Sequence, residues 1–218
     1  DDRTSRGLGD VYKRQFNRVS DIYPSKPGPL QYLFPLLTKL PRFMLPGRAK
    51  FLLDFGDTSK PVGAAFNNPP ISSSEGMEAN TKKWRNAEIP AANGHGTARS
   101  IAKLYGILAN GGSRDGIHVL SPETIEKGRQ TQSDGKDLVL GGMRTRFGLG
   151  FMLGTENVSM GPNPNAFGHG GAGGSLGFSD PDNNISLGFV MNQMHPGITA
   201  WKTATDVAES VYKTLSLN

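Results

Sequence analysis

The sequence has no cysteine, which excludes disulfides and thiolate metal sites alike. Its four histidines never stand at metal-ligand spacing, and the carboxylates complete no cluster with them, so neither a metal nor another cofactor is expected. No apolar run approaches the roughly 18–20 residues of a membrane-crossing helix. A P-loop is missing, and no Gly-x-Gly-x-x-Gly opens a helix after a strand, so the nucleotide-binding signatures are lacking too. The 24 Lys and Arg against 19 Asp and Glu leave a net charge of +5, scattered without a basic run, and no nucleic-acid partner is expected.

Glycine and proline are plentiful. With 29 Gly, 15 Pro and only 36% hydrophobic residues, the chain reads as loop-rich. The glycines concentrate in Phe167-Gly168-His169-Gly170-Gly171-Ala172-Gly173-Gly174-Ser175-Leu176-Gly177-Phe178. A strand that only had to pack would be weakened by so much glycine, so something is expected to approach its backbone closely. The turn-forming residues 179–184 follow, then Ile185–Asn192 as a second strand, and the unit reads as an antiparallel hairpin.

These residues resemble the third active-site motif of the serine β-lactamase and penicillin-binding-protein superfamily, in its class C-like, esterase-type branch. The stretch from Trp84 to Ser100 supports the likeness, which runs from about Phe66 to Asn192. The resemblance implies an α+β fold of the β-lactamase/transpeptidase type, an antiparallel sheet flanked by helices. It also implies hydrolysis of a small-molecule ester or amide. His169 then stands where the family has Lys or His, Gly170 and Gly171 follow it, and Ala172 offers its N–H to the oxyanion. A neutral imidazole at 169 would hold a substrate carboxylate less firmly than a lysine and so favour neutral esters. The motif Ser-x-x-Lys, which carries the nucleophile, and the family's Tyr-x-Asn are expected upstream. The chain has no Tyr-x-Asn, and Ser210-Val211-Tyr212-Lys213 is taken as its one Ser-x-x-Lys, which follows the third motif and reads as helix surface, so none is expected before that motif within the chain. The chain is therefore expected to be the C-terminal part of a larger fold and inactive alone. A catalytically dead binding or scaffold member of the same fold is the rival reading.

Residues 5–15 resemble the translation of a transposase-based sequencing adaptor, so residues 1–15 are read as non-native. Residues 16–96 are expected to be irregular, broken by prolines and set around the substrate entrance, with helical turns over 30–40 and 49–55. Residues 97–218 carry the catalytic-domain elements. Ile101, Leu104, Tyr105 and Leu108 mark one face of a helix ended by Asn110-Gly111-Gly112. A short strand is expected over 116–120, and Ser121-Pro122 opens another helix. Arg146–Leu153 reads as a strand. A last helix over 199–215 would bury Trp201, Ala204, Val207, Ala208, Val211 and Leu215.

Gly173-Gly174-Ser175-Leu176-Gly177 also fits Gly-x-Ser-x-Gly, the nucleophile elbow of α/β-hydrolases, which needs a helix after the serine. A strand is expected there instead, so Ser175 reads as hairpin packing. His95 could line the site or hydrogen-bond a loop. His118 reads as structural, and His195 stands alone beside Pro196.

Overall fold

Prolines punctuate residues 24–70, and short helices fit between them. The computed structural model, which describes residues 19–26, 28, 32, 35, 36, 39–156, 158–196 and 202–216, places α1 (Gly47–Gly56), α2 (Pro61–Phe66) and α3 (Lys82–Asn86) in the region expected to be irregular. Pro46 caps α1 and Pro61 opens α2, positions where a missing N–H breaks no helical hydrogen bond. Residues 1–15, most of 30–40 and 199–201 lie outside the described residues, so the expectations placed there, Trp201 included, stay sequence readings.

Helix α4 (Ala98–Ala109) starts at Thr97, whose side chain accepts from Ser100 N–H while the Ser100 side chain accepts from Thr97 N–H. Its buried face is rotated from the expected one: Leu104 is exposed and Ile107 is buried. After Gly111 and Gly112 come β1 (Ser113–Arg114) and β2 (Ile117–His118), joined by Asp115-Gly116 with positive φ at both residues. The strand expected over 116–120 is thus a two-residue piece. Ser121 caps α5 (Pro122–Arg129) as expected.

Six strands then form one antiparallel sheet in chain order: β3 (Ser133–Asp137), β4 (Met143–Phe147), β5 (Met152–Leu153), β6 (Phe167–Gly170), β7 (Leu176–Asp180) and β8 (Ile185–Phe189). Two expectations need correcting. Arg146–Leu153 is not one strand, because the chain turns between β4 and β5, with φ +79° at Gly150. The segment 167–178 is not one strand either. It folds back on itself, pairing Phe167 with Ser179 and His169 with Gly177.

Both faces of the sheet are covered. On one, α4 lies so close to β7 and β8 that a Cβ at Gly177 would come within 2.4 Å of Tyr105, and one at Gly188 within 2.4 Å of the Ala98 carbonyl. Ser179 Oγ and Ser186 Oγ, alternating with the inward residues, donate to the carbonyls of Tyr105 (3.0 Å) and Ala102 (2.9 Å) on that helix. On the other face, α6 (Lys202–Thr214) buries Ala204, Ala208 and Tyr212 against Leu176, Phe178 and Leu187. The Tyr212 and Phe178 rings stack at 6.4 Å. Val207 and Leu215, expected inside, are exposed. Helix, antiparallel sheet and helix make the α+β architecture expected from the resemblance, with Phe167 and Phe178 fully buried at its centre.

Candidate functional site

His169, Gly170, Gly171 and Ala172 come together at the end of β6 and in the five-residue turn to β7. Three backbone bonds hold this turn. Gly171 N–H donates to Ser175 O (2.8 Å), Gly174 N–H to Gly171 O (3.0 Å), and His195 N–H to Gly173 O (2.9 Å). Gly173 and Gly174 have φ of +85° and +112°, a region that side chains disfavour. A Cβ at Gly171 would sit 2.3 Å from Ser175 Oγ. The glycines therefore serve the reversal itself and the seat of α4, not solely the approach of a ligand. The half-buried Ala172 makes no hydrogen bond among the described residues through its N–H.

His169 is exposed although Phe167 and Gly168 before it are buried. Its Nδ1 lies 2.5 Å from Gly170 O. A carbonyl can only accept, so this contact requires Nδ1–H and commits that nitrogen to the backbone. The ring of Phe147 flanks the imidazole, with centroids 6.0 Å apart.

The serines fall into place by what their hydroxyls already do. Ser175 is followed directly by β7, not by a helix, so the elbow context is wanting. Ser210 Oγ donates to Asp206 O (2.7 Å) on the surface of α6. The spacing Ser-x-x-Lys also occurs at Ser100-Ile101-Ala102-Lys103 and Ser133-Asp134-Gly135-Lys136, and both precede His169. The expectation that this spacing is lacking upstream of the third motif is therefore wrong, and Ser100 even opens a helix. Its Oγ, however, accepts from Thr97 N–H (2.9 Å) and donates to Thr97 O (2.8 Å), while Lys103 is exposed. Ser133 and Lys136 lie on the exposed strand β3. None of the three pairs offers a serine hydroxyl poised on a lysine amine.

Among the histidines, His118 Nδ1 shares a hydrogen bond with Ser113 Oγ (2.7 Å) across the β1–β2 hairpin, away from the sheet. His95 is half-buried before α4. His195, which the sequence left isolated, meets the 171–175 turn through its backbone, and Met194 packs on Gly173. No sequence signal marked that contact. Residues 22–24 run beside it: Tyr23 N–H donates to Asn192 O (2.7 Å), Met194 N–H donates to Tyr23 O (2.9 Å), and Gln193 bonds Pro24 O.

At the opposite end of β7 the fully buried Asp180 collects hydrogen bonds from Tyr212 Oη (2.6 Å), Asn163 Nδ2 (2.7 Å) and Asn183 Nδ2 (3.1 Å). Burial pushes its carboxyl up, but these bonds outweigh it and hold the group below the usual carboxylate range. The same burial, with the Asp180 bond, raises the Tyr212 phenol. A cavity of about 430 Å³ adjoins this network, lined by Gly161, Pro162, Ala208 and Tyr212 among others, and includes none of His169–Ala172. No helix among the described residues is long and apolar enough to cross a membrane.

A family model described as Beta-lactamase matches residues 44–209. An esterase/β-lactamase, LipL, of Mycobacterium tuberculosis is 41% identical over 112 residues, which are 50% of this chain and 24% of that protein. Two crystal structures are similar over 70% of this chain and 40% of theirs. One is a family VIII carboxylesterase (TM-score 0.63, 39% identity) and the other a penicillin-binding-protein homologue from Caulobacter crescentus (TM-score 0.60, 37% identity). EstA from Arthrobacter nitroguajacolicus shares the fold over 94% of this chain and 48% of its own length, at TM-score 0.68 and 23% identity. The chain thus spans between about a quarter and a half of the proteins it matches.

Proposed function

The chain belongs to the β-lactamase family, and from that membership we propose that it forms the C-terminal part of a serine hydrolase of the esterase type, which cleaves a small-molecule ester or amide. Its contribution is the third motif. His169 faces the acyl substrate, Gly170 and Gly171 leave room beside the strand, and Ala172 supplies one oxyanion donor. The observation that carries this reading is the unspent N–H of Ala172, which with that of Gly173 is left without a partner among the described residues, between the committed amides of Gly171 and Gly174. A donor fixed in place before charge develops needs no reorganisation in the transition state, and losing one such donor costs about 2.7–4 kcal/mol of barrier. The nucleophile and its lysine belong to the upstream part, because none of the three Ser-x-x-Lys pairs sets its serine hydroxyl on its lysine amine. The chain alone is accordingly inactive.

The test joins this chain to its upstream coding sequence and follows p-nitrophenyl butyrate and nitrocefin. His169→Ala lowers kcat/KM by about 10²–10⁴-fold if the imidazole moves a proton, and by less if it only orients substrate. His169→Lys restores a charge and shifts preference toward the carboxylate-bearing cephalosporin. Wild-type kinetics from both variants on both substrates would refute the assignment, and turnover by the present chain alone would refute its inactivity.

A further inference from the structure

Among the described residues, Arg146 finds no acceptor for its charge. It sits in β4 with Leu153 on one side and Asp134 of β3 on the other. Its Nε is buried and makes no hydrogen bond to any described residue. The carboxylate that the register sets opposite it is already taken: Asp134 gives both oxygens to Arg144, at 2.8 Å each, and offers Arg146 only longer-range attraction. A buried donor left unsatisfied forfeits its desolvation cost, and one belonging to a charged group forfeits more. Arg146 also lines a cleft of about 300 Å³ between the C-terminal end of α5 and the loop before β6, together with Arg129, Gln130, Thr131 and Asn165.

The charges in this cleft leave an excess of one positive. Glu126 lies in it too, but Arg129 Nε binds Glu126 Oε2 at 2.7 Å, and Arg129 Nη1 is held by Asn165 O at 2.9 Å. The Glu126–Arg129 pair is thus neutral and internally satisfied. The last carbonyls of α5 disfavour an anion, yet the guanidinium of Arg146 outweighs partial charges with a full one. A planar fork of N–H donors fits an oxyanion with two oxygens better than it fits any neutral ligand.

We propose that the cleft formed by Arg146, Arg129, Gln130 and Thr131 is a binding site for a small oxyanion, a carboxylate or a phosphate, separate from the third motif. It rests on none of the residues of the proposed hydrolytic site. Such a ligand would place its oxygens on the terminal nitrogens of Arg146, and Thr131 Oγ1 adds a neutral donor.

Isothermal titration of the chain with inorganic phosphate and, separately, with acetate, at constant ionic strength, tests this. Saturable one-site binding is expected for at least one of them, and the better ligand identifies the headgroup chemistry. Arg146→Met, which keeps the aliphatic stem, should weaken it by about tenfold or more, the scale of one charge-assisted contact. Arg146→Lys keeps the charge without the fork and should fall between. Lys127→Gln, outside the cleft, should leave it unchanged. Circular dichroism of each variant reports folding, and if Arg146→Met is unfolded the comparison rests on Arg146→Lys. No saturable binding, or undiminished binding by a folded Arg146→Met, overturns the proposal, as does binding by Arg146→Lys equal to wild type where Arg146→Met is unfolded.

Discussion

Replacing Tyr212 with Phe removes one oxygen and nothing else from the contact between α6 and the sheet. The ring keeps its stack on Phe178 and its place in the core. What disappears is the 2.6 Å bond to a carboxylate that water does not reach. A hydrogen bond to a charged acceptor contributes about 1.5–3 kcal/mol, and that is the expected loss at neutral pH. Asp180 keeps its bonds from Asn163 and Asn183, so the loss should not reach the larger values seen when a buried charge is stripped of every partner. For a chain of this size each kcal/mol moves Tm by about 2–4 °C.

The pH dependence gives the argument a second, independent check. The Asp180 carboxyl is held below its ordinary range, so it releases its proton more readily folded than unfolded. Its stabilisation is therefore fully present above the unfolded carboxylate pKa, about 3.9, and is lost as pH falls through the folded value. The gap between wild type and Tyr212→Phe should be constant from neutral pH down to about 5 and narrow below about 4. Urea unfolding followed by circular dichroism across that range measures it. A gap under about 0.5 kcal/mol at pH 7, or one that widens on acidification, refutes the reasoning.

Gly188→Ala drives a Cβ to 2.4 Å from Ala98 O and 2.7 Å from Ala102 N, both backbone atoms of α4, and should cost about 1–3 kcal/mol by thermal unfolding; no loss would mean that α4 is not seated on β8. Ser100→Ala breaks the capping box and should cost about 0.5–2 kcal/mol while leaving esterase activity of the joined protein intact; a folded variant without activity would make Ser100 the nucleophile. Deleting residues 1–15, which carry no apolar period, should change stability by only a few tenths of a kcal/mol; a loss above about 1 kcal/mol would mean that they pack.

Amphipathic periods and caps were legible where they were strong. Ser121 begins a helix because its hydroxyl accepts an exposed N–H group, and that rule works from sequence alone, whereas the cap at Thr97 went unread. The faces of α4 and α6 were harder. The sheet beneath α6 presents large side chains such as Phe178, so the helix turns its small residues, Ala204 and Ala208, inward and leaves Val207 outside. Tyr212 joins them because Asp180 gives its hydroxyl a buried partner, a pairing 32 residues apart that no local window contains. Strand β3, Ser-Asp-Gly-Lys-Asp, has no apolar residue to announce it and forms as an edge, where charge is tolerated because one side of the ladder faces solvent.

The glycine run shows most clearly what a single sequence leaves open. Read locally, Gly168–Gly177 says only that side chains are unwelcome, and the bodies that exclude them lie elsewhere in the chain. At Gly177 that body is Tyr105 of α4, at Gly173 it is Met194, and at Gly171 it is Ser175 across the turn. Each neighbour is set by a contact of different sequence separation, so one composition encodes a helix seat and a reversal together. His169 and Ala172 stand at the one stretch of this run where the chain passes from ladder to turn. There an exposed imidazole and an uncommitted N–H survive because neither the sheet nor the turn needs them. A strand continued through residue 178 would commit alternate amides to its neighbours, so the reversal absent from the sequence reading is what leaves the Ala172 N–H without a ladder partner.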